Sequence, residues 1–255
     1  MTTGALIFAV NNEHTDYVAM AHWSAKNIKR HLGIPTAIIT DKEINVAGTN
    51  SRWFSDYNTN VTWHNESRVD AYAVTPWERT LVLDADYVVA SNQLQLLLTA
   101  DEDFLSHRIA YDVIGINDFD GINYFGLNKM PMWWATVMMF RKSTQAELIF
   151  KCMRMIRDNW AHYKKLYNNN SPSYRNDHAL TIALGIVNGH TLNHKAIPWN
   201  LASLTPEHQL TQTDQDNYRI DFLTPNQKPR WVELCNQDFH AMGKQQLGAI
   251  VANNS

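Results

Sequence analysis

The stretch Leu81-Val82-Leu83-Asp84-Ala85-Asp86-Tyr87-Val88-Val89 decides how the rest of the chain is read. Apolar residues lead into two carboxylates and resume directly after them. A continuous run of this kind reads as a strand buried on both faces, and the pattern predicts one strand from Thr80 to Val89. Side chains alternate along a strand, so Asp84 and Asp86 are expected to project together while Ala85 faces the other way. Two adjacent carboxylates leaving an apolar strand repel each other. A divalent cation between them removes the conflict, and hard oxygen ligands suit Mg²⁺ or Mn²⁺. The plainer reading of an isolated Asp-x-Asp is a loop or a helix cap.

Upstream, Gly4 to Val10 is a second apolar run, followed by Asn11, Asn12 and Glu13. The spacing of Val18, Ala21, Ile28 and Leu32 predicts a helix from Thr15 to His31, with Thr15 as its cap and Gly33-Ile34-Pro35 closing it. Thr36 to Thr40 is then a β-branched strand ending in Asp41. Strand, helix and strand in this order form a parallel βαβ unit, so the fold class is α/β. In such a sheet the strand ends border the ligand, which points to Ala9, Val10, Asn11 and Asp41. Asn45 to Asn65 shows no periodicity, and a helical stretch from Glu66 to Val74 stops before Pro76.

Downstream, the pattern predicts a short helix over Gln93 to Leu98 and strands around His107 to Ile116 and Trp134 to Arg141. Gln145 to Tyr167 reads as the longest helix. Asp177 to Val187 reads as another, capped by Asn176 or Asp177 and ended near Gly189. Near the C-terminus stands Phe239-His240-Ala241-Met242-Gly243-Lys244. His240 is a candidate third metal ligand, Gly243 a place where backbone can approach an anion, and Lys244 a point charge for a phosphate. Taken singly these residues are unremarkable, since the chain has 11 His.

The 255 residues are 45% hydrophobic, enough for a large core, and are expected to form a single domain spanning 1–255. Lys and Arg number 22 against 25 Asp and Glu, a net charge of −3, so no global basic field draws the chain to nucleic acid or an anionic membrane. Cys152 and Cys235 are the two cysteines; they suit buried thiols in a reducing, cytoplasmic setting. The opening Met-Thr-Thr-Gly-Ala-Leu-Ile-Phe-Ala-Val lacks a basic leader and is too short to span a bilayer, so no membrane partner is expected. Acceptor-type tripeptides at Asn60, Asn65 and Asn169 carry no weight without a sign of secretion.

The order of an apolar strand ending Asp84-Ala85-Asp86, a helix start at Asn176-Asp177-His178-Ala179-Leu180-Thr181 and a late His240-Ala241-Met242-Gly243-Lys244 resembles glycosyltransferase family GT8, which includes glycogenin and bacterial galactosyltransferases. Three short segments carry the likeness. It implies the GT-A fold, a Rossmann-like mixed central sheet flanked by helices. It also implies a nucleotide-diphosphate sugar donor, most simply a UDP-sugar, with Mn²⁺ or Mg²⁺ held by Asp84, Asp86 and His240. The family's late Lys, which contacts the diphosphate, corresponds to Lys244, and a basic residue before the metal-binding strand corresponds to Arg68. Asp177 takes the place of the carboxylate that orients the acceptor or eases charge on the reacting sugar. Residues Ala9, Val10, Asn11 and Asp41 would border the nucleoside, with Ala85 and Gly243 lining the donor. Where the family has NAGVM, this chain has Trp134-Ala135-Thr136-Val137-Met138, so the sugar-contacting Asn is absent. The implied activity is hexosyl or pentosyl transfer to an acceptor hydroxyl with retention.

A likeness to glycosyltransferases of tailed bacteriophages suggests hydroxymethylated DNA bases as one acceptor. Lys26, Lys29, Arg30 and His31, with Arg154, Arg157, Lys164 and Lys165, would supply its phosphate contacts. Two readings from other classes remain. Asp84-Ala85-Asp86-Tyr87-Val88 also fits the nucleophile loop of a HAD-type phosphatase, with Asp84 attacking phosphorus. That loop normally follows the first strand of its fold, whereas two strands precede it here. A noncatalytic nucleotide-sugar binding protein would share the metal group.

Overall fold

A computed structural model of the chain describes residues 2–41, 50–53, 66–171, 173–191 and 193–254. Tripeptides at Asn60 and Asn65, and most of the Asn45 to Asn65 stretch, lie outside the described residues. The apolar runs read from the sequence form a six-stranded mixed sheet in the order β3 (Asn50–Trp53), β2 (Thr36–Thr40), β1 (Thr3–Phe8), β4 (Arg79–Leu83), β10 (Trp134–Arg141), β6 (Phe104–His107). β3, β2, β1 and β4 are parallel, whereas β10 runs antiparallel to both its neighbours. Leu81, Val82 and Leu83 of β4 are wholly buried, as are Ala5, Leu6 and Ile7 of β1. Each larger side chain among them contributes about 1.5–3 kcal/mol through burial. Gly4 sits where a Cβ would lie 2.2 Å from the Trp77 ring, so the indole packs directly on the β1 backbone.

Helices flank this sheet. α1 (Tyr17–Leu32) connects β1 to β2 and packs on α7 (Lys244–Asn253). Its N-cap is Asp16 rather than Thr15: the Asp16 carboxylate accepts from the Ala19 amide at 2.9 Å. Gly33 ends it with φ 71°, the left-handed conformation that glycine adopts without strain. α2 (Ala71–Val74) and α3 (Gln95–Leu98) are single turns. The predicted long helix from Gln145 to Tyr167 is two helices, α4 (Thr144–Asp158) and α5 (Trp160–Leu166), so α1 is the longest. Asn159 makes the break: its backbone leaves the helical region at φ −120° and ψ 31°, and its side chain donates to the Met155 carbonyl at 2.9 Å. α6 (Asn176–Val187) packs on α4 and β10. No described helix is long and apolar enough to cross a membrane.

The single strand expected from Thr80 to Val89 is two strands in two sheets. β4 stops at Leu83, a turn closed by the Tyr87 amide on the Asp84 carbonyl (3.1 Å) follows, and β5 (Tyr87–Val88) joins a second sheet. That sheet has the order β5, β15 (Phe239–Ala241), β11 (Leu201–Leu204), β7 (Ala110–Asp112). β3, β11 and α7 escaped the sequence reading, and so did two further groups of strands. One is a two-stranded ribbon of β8 (Tyr124–Phe125) and β9 (Met130–Pro131); the other is a meander of β12 (Gln209–Asp214), β13 (Asn217–Leu223) and β14 (Pro229–Cys235). Cys152 is buried, but Cys235 is exposed on β14, contrary to the expectation of two buried thiols.

Candidate metal and donor site

The turn between β4 and β5 brings the two carboxylates together. Convergence therefore comes from a turn at the end of one sheet, not from alternation along a continuous strand. The Asp84 amide donates to the Thr136 carbonyl on β10 at 3.0 Å, and the Ala241 amide donates to the Asp86 carbonyl at 2.9 Å. β4 and β10 thus fix one acid, while β15 fixes the other. Tyr87 pairs with His240 across β5 and β15, which delivers the imidazole to the same place. One candidate ligand atom from each of Asp84, Asp86 and His240 lies within 4.8 Å of the other two.

Cations of the chain neutralise both acids. Arg68, 3% exposed, is ion-paired with Asp84 and also donates to the Ala135 carbonyl at 3.1 Å. Lys244, the first residue of α7, is ion-paired with Asp86, and His240 Nε2 stands 3.4 Å from the same carboxylate. Burial pushes the Asp86 carboxyl up, but the charges and hydrogen bonds of Lys244 and His240 outweigh it and hold the group well below the usual carboxylate range. His240 Nδ1 is buried without a hydrogen-bond partner among the described residues. Two hard carboxylates and an imidazole at this spacing fit a divalent cation such as Mn²⁺ or Mg²⁺. Asp84, Asp86 and His240 are therefore a group that can hold a metal ion.

The other predicted residues surround the group unevenly. Ala85 is buried within the turn. Ala9 and Val10 continue from β1, with the Ala9 amide donating to the Ile39 carbonyl at 2.8 Å. Asn11 Oδ1 accepts from the Val18 amide at 2.9 Å, so its side chain holds the start of α1. Asp41 follows β2 and accepts from the Thr40 hydroxyl at 3.3 Å. Because β1, β2 and β4 are parallel, Asn11, Asp41 and Asp84 lie along one edge of the sheet. Gly243 caps α7 with φ −80°, a conformation open to any residue, so its backbone shows no need for glycine.

Asp177 lies outside the three-ligand group. Its Oδ1 accepts from the Ala135 amide at 2.8 Å and Oδ2 is 3.5 Å from Arg175, while α6 has Arg175 as N-cap with no side-chain cap bond. Capping by Asn176 or Asp177 is thereby corrected: Asp177 is spent on β10. The β10 register against β6 shifts between Trp134 and Met138, an irregularity that leaves Ala135 and Thr136 for Asp177, Arg68 and Asp84.

Sequence reasoning missed Tyr17. Burial raises its phenol, and the charges of Lys244 and Asp86 both reach it, which places α1's first turn beside the group. A 590 Å³ cavity lined by His14, Thr15, Asp16 and Lys244 opens between α1 and α7. Nothing in the pattern separates Tyr17 from any aromatic in an amphipathic helix.

No family model matches the chain, and no curated protein sequence matches it. Among solved structures it is similar to the glycosyltransferase GlyE of Streptococcus pneumoniae, with 13% identity and a TM-score of 0.46 over 78% of this chain. It spans 46% of that protein's chain. It is also similar to the galactosyltransferase LgtC in complex with donor and acceptor sugar analogs, with 14% identity and a TM-score of 0.44 over 71% of this chain and 70% of that one. A third similar structure is the bifunctional IspDF of Campylobacter jejuni, with 12% identity and a TM-score of 0.42 over 79% of this chain and 50% of that one.

Proposed function

We propose that the chain is a single-domain, divalent-metal-dependent glycosyltransferase of the GT-A type. It transfers a hexosyl or pentosyl unit from a nucleotide-diphosphate sugar, UDP-linked for preference, to an acceptor hydroxyl with retention. The observation that carries this reading is the convergence of Asp84, Asp86 and His240 at the edge where the parallel strands end. It is supported by the order of motifs shared with family GT8.

Asp84, Asp86 and His240 would hold Mn²⁺ or Mg²⁺, which when bound supplies Lewis-acid stabilisation of the departing diphosphate. Lys244 is placed to exchange its pairing with Asp86 for a phosphate oxygen as the donor arrives. Arg68 serves the donor indirectly, by holding Asp84 and the Ala135 carbonyl in place. Asp177 Oδ1 is committed to Ala135, so Oδ2 is the oxygen we assign to orienting the acceptor. Ala9, Val10, Asn11 and Asp41 border the nucleoside in this reading, with Ala85 and Gly243 beside the diphosphate. Retaining transfer needs no strong general base, because the leaving phosphate can take the acceptor's proton, and positioning then dominates.

Hydroxymethylated DNA is a weaker choice of acceptor. Arg30 and His31 are paired with Asp216, and Arg154 and Arg157 with Asp70, so half of the expected phosphate contacts already have carboxylate partners. The phosphatase reading gains no observation: among the described residues the single cluster of acids and histidines includes His240 rather than a second acidic pair.

Incubation with a panel of UDP-, GDP-, CDP- and dTDP-sugars, with and without Mn²⁺, tests the proposal through nucleoside diphosphate release. Mn²⁺-dependent release from one donor, accelerated by an acceptor alcohol, is expected. Donor binding with no release in any combination would leave a binding protein and refute the enzyme.

A further inference from the structure

A second cavity, of 410 Å³, opens on the four-stranded sheet and includes Tyr87, Tyr111, Trp199, Asn200, Gln237 and Asp238 in its wall. Its volume falls within the roughly 300–1,000 Å³ of small-molecule sites. Asp238 is 4% exposed; Oδ1 accepts from the Ala90 amide at 2.8 Å, whereas Oδ2 is sequestered with no hydrogen-bond partner. The Ser91 hydroxyl and amide also reach this carboxylate and stabilise its charge. Gln237 Nε2 donates to the Tyr111 hydroxyl at 3.2 Å, which fixes that ring in the wall and leaves the amide oxygen as an acceptor. Tyr87 is 2% exposed, so this part of the wall is preformed.

We propose that this cavity binds one pyranose ring of an uncharged saccharide, with Trp199 and Tyr111 against its C–H face and Asn200 and Gln237 taking its hydroxyls, while the buried Asp238 charge beneath them disfavours anions. Among the described residues the lining holds no Lys or Arg and a single charged side chain, a carboxylate, so phosphorylated ligands are repelled. Aromatic walls with a few convergent amides and an acid match a ligand that is apolar on one face and rich in hydroxyls at its rim. Asp238 and Tyr87 adjoin the metal-binding group along β15 and β5. The saccharide site stands on the cavity alone; only its use as the holding point for the acceptor rests on the transferase reading.

Saturation-transfer NMR of the full chain with methyl β-glucoside, methyl β-galactoside, maltose and lactose tests the proposal without metal or donor. Uridine and choline serve as competing probes. At least one saccharide is expected to bind with a Kd of ~1–10 mM, as suits a small neutral ligand. Trp199→Ala and the exposed Asn200→Ala should each weaken it at least fivefold, with Mn²⁺ affinity unchanged. Absence of saccharide binding, tighter binding of uridine or choline, or saccharide binding insensitive to both variants would overturn the proposal. Saccharide binding without donor turnover would uphold the site and refute the transferase.

Discussion

Strands of the six-stranded sheet run four to eight residues, and β1, β2 and β4 place nearly every side chain in the core. In the four-stranded sheet they run two to four, and Asp112, Ser203 and His240 stand among the apolar residues. One segment, Arg79 to Val88, serves both. It fills the core as far as Leu83, turns at Asp84 to Asp86, and enters the smaller sheet at Tyr87. The larger sheet supplies rigidity and the smaller one supplies His240; the candidate ligands sit at the handover. Two close acids are tolerable there because Arg68 and Lys244 pair with them and one flank is fixed by extensive burial.

If that division is right, damage near β4 and β10 should cost stability. Arg68→Ala removes the cation beside Asp84 and the donor to Ala135, and is expected to cost roughly 3–5 kcal/mol in urea unfolding, as for other broken buried ion pairs. Lys should rescue it only in part, because one guanidinium reaches both partners. A cost under about 1 kcal/mol would mean that the handover is not anchored from this side.

Acid probes the edge of the larger sheet. His107 on β6 is fully buried, neither ring nitrogen has a hydrogen-bond partner, and burial holds it at about 3. Its folded value lies below the unfolded one of about 6.5, so above pH 6.5 both states are neutral and the group contributes no pH dependence. As pH falls through 6.5 the unfolded chain takes up a proton that the folded chain refuses. Stability should therefore drop by about 1.4 kcal/mol per unit, close to 2.7 kcal/mol by pH 4.5, and level off near the folded value. Melting temperatures of wild type and His107→Leu between pH 7.5 and 4.5 check this. Parallel curves would show that His107 is not the acid-sensitive group.

The smallest effect belongs to the meander. Trp231 on β14 is 58% exposed, with the Arg219 guanidinium 5.1 Å from its ring. Trp231→Ala should lower the unfolding free energy measured in urea by less than about 1 kcal/mol, the range of an exposed cation–π contact. A larger cost would mean that the exposed face of the meander, and not only its buried Tyr218 and Ile220, carries stability.

The βαβ unit and the β10 span Trp134 to Arg141 were legible because their signals are local, apolar runs and helical spacing, whereas the approach of His240 to Asp84 and Asp86 was suggested by the likeness in motif order, since no local signal links residues so far apart. The break after Leu83 was not, since Tyr87-Val88-Val89 is as apolar as Leu81-Val82-Leu83 and the change of sheet is a tertiary event. The role of Asp177 was hidden for a similar reason, because its partner, the Ala135 amide, is freed by an irregular register in β10. The meander escaped because Gln209 to Asp214 is largely polar, although Asn217 to Leu223 alternates polar with apolar residues and buries Tyr218 and Ile220 completely. Asp238 and Tyr87 become a cavity only once β5 and β15 are paired.

Calorimetric titration of Mn²⁺ into wild type and His240→Ala, each with UDP present, tests most directly whether the handover turn and β15 hold one ion. The expected result is one ion per wild-type chain and affinity weaker by at least about 100-fold in the variant, more than loss of an outer-shell partner gives, with an unchanged melting temperature for the metal-free proteins. Equal Mn²⁺ affinity in the two proteins would contradict it.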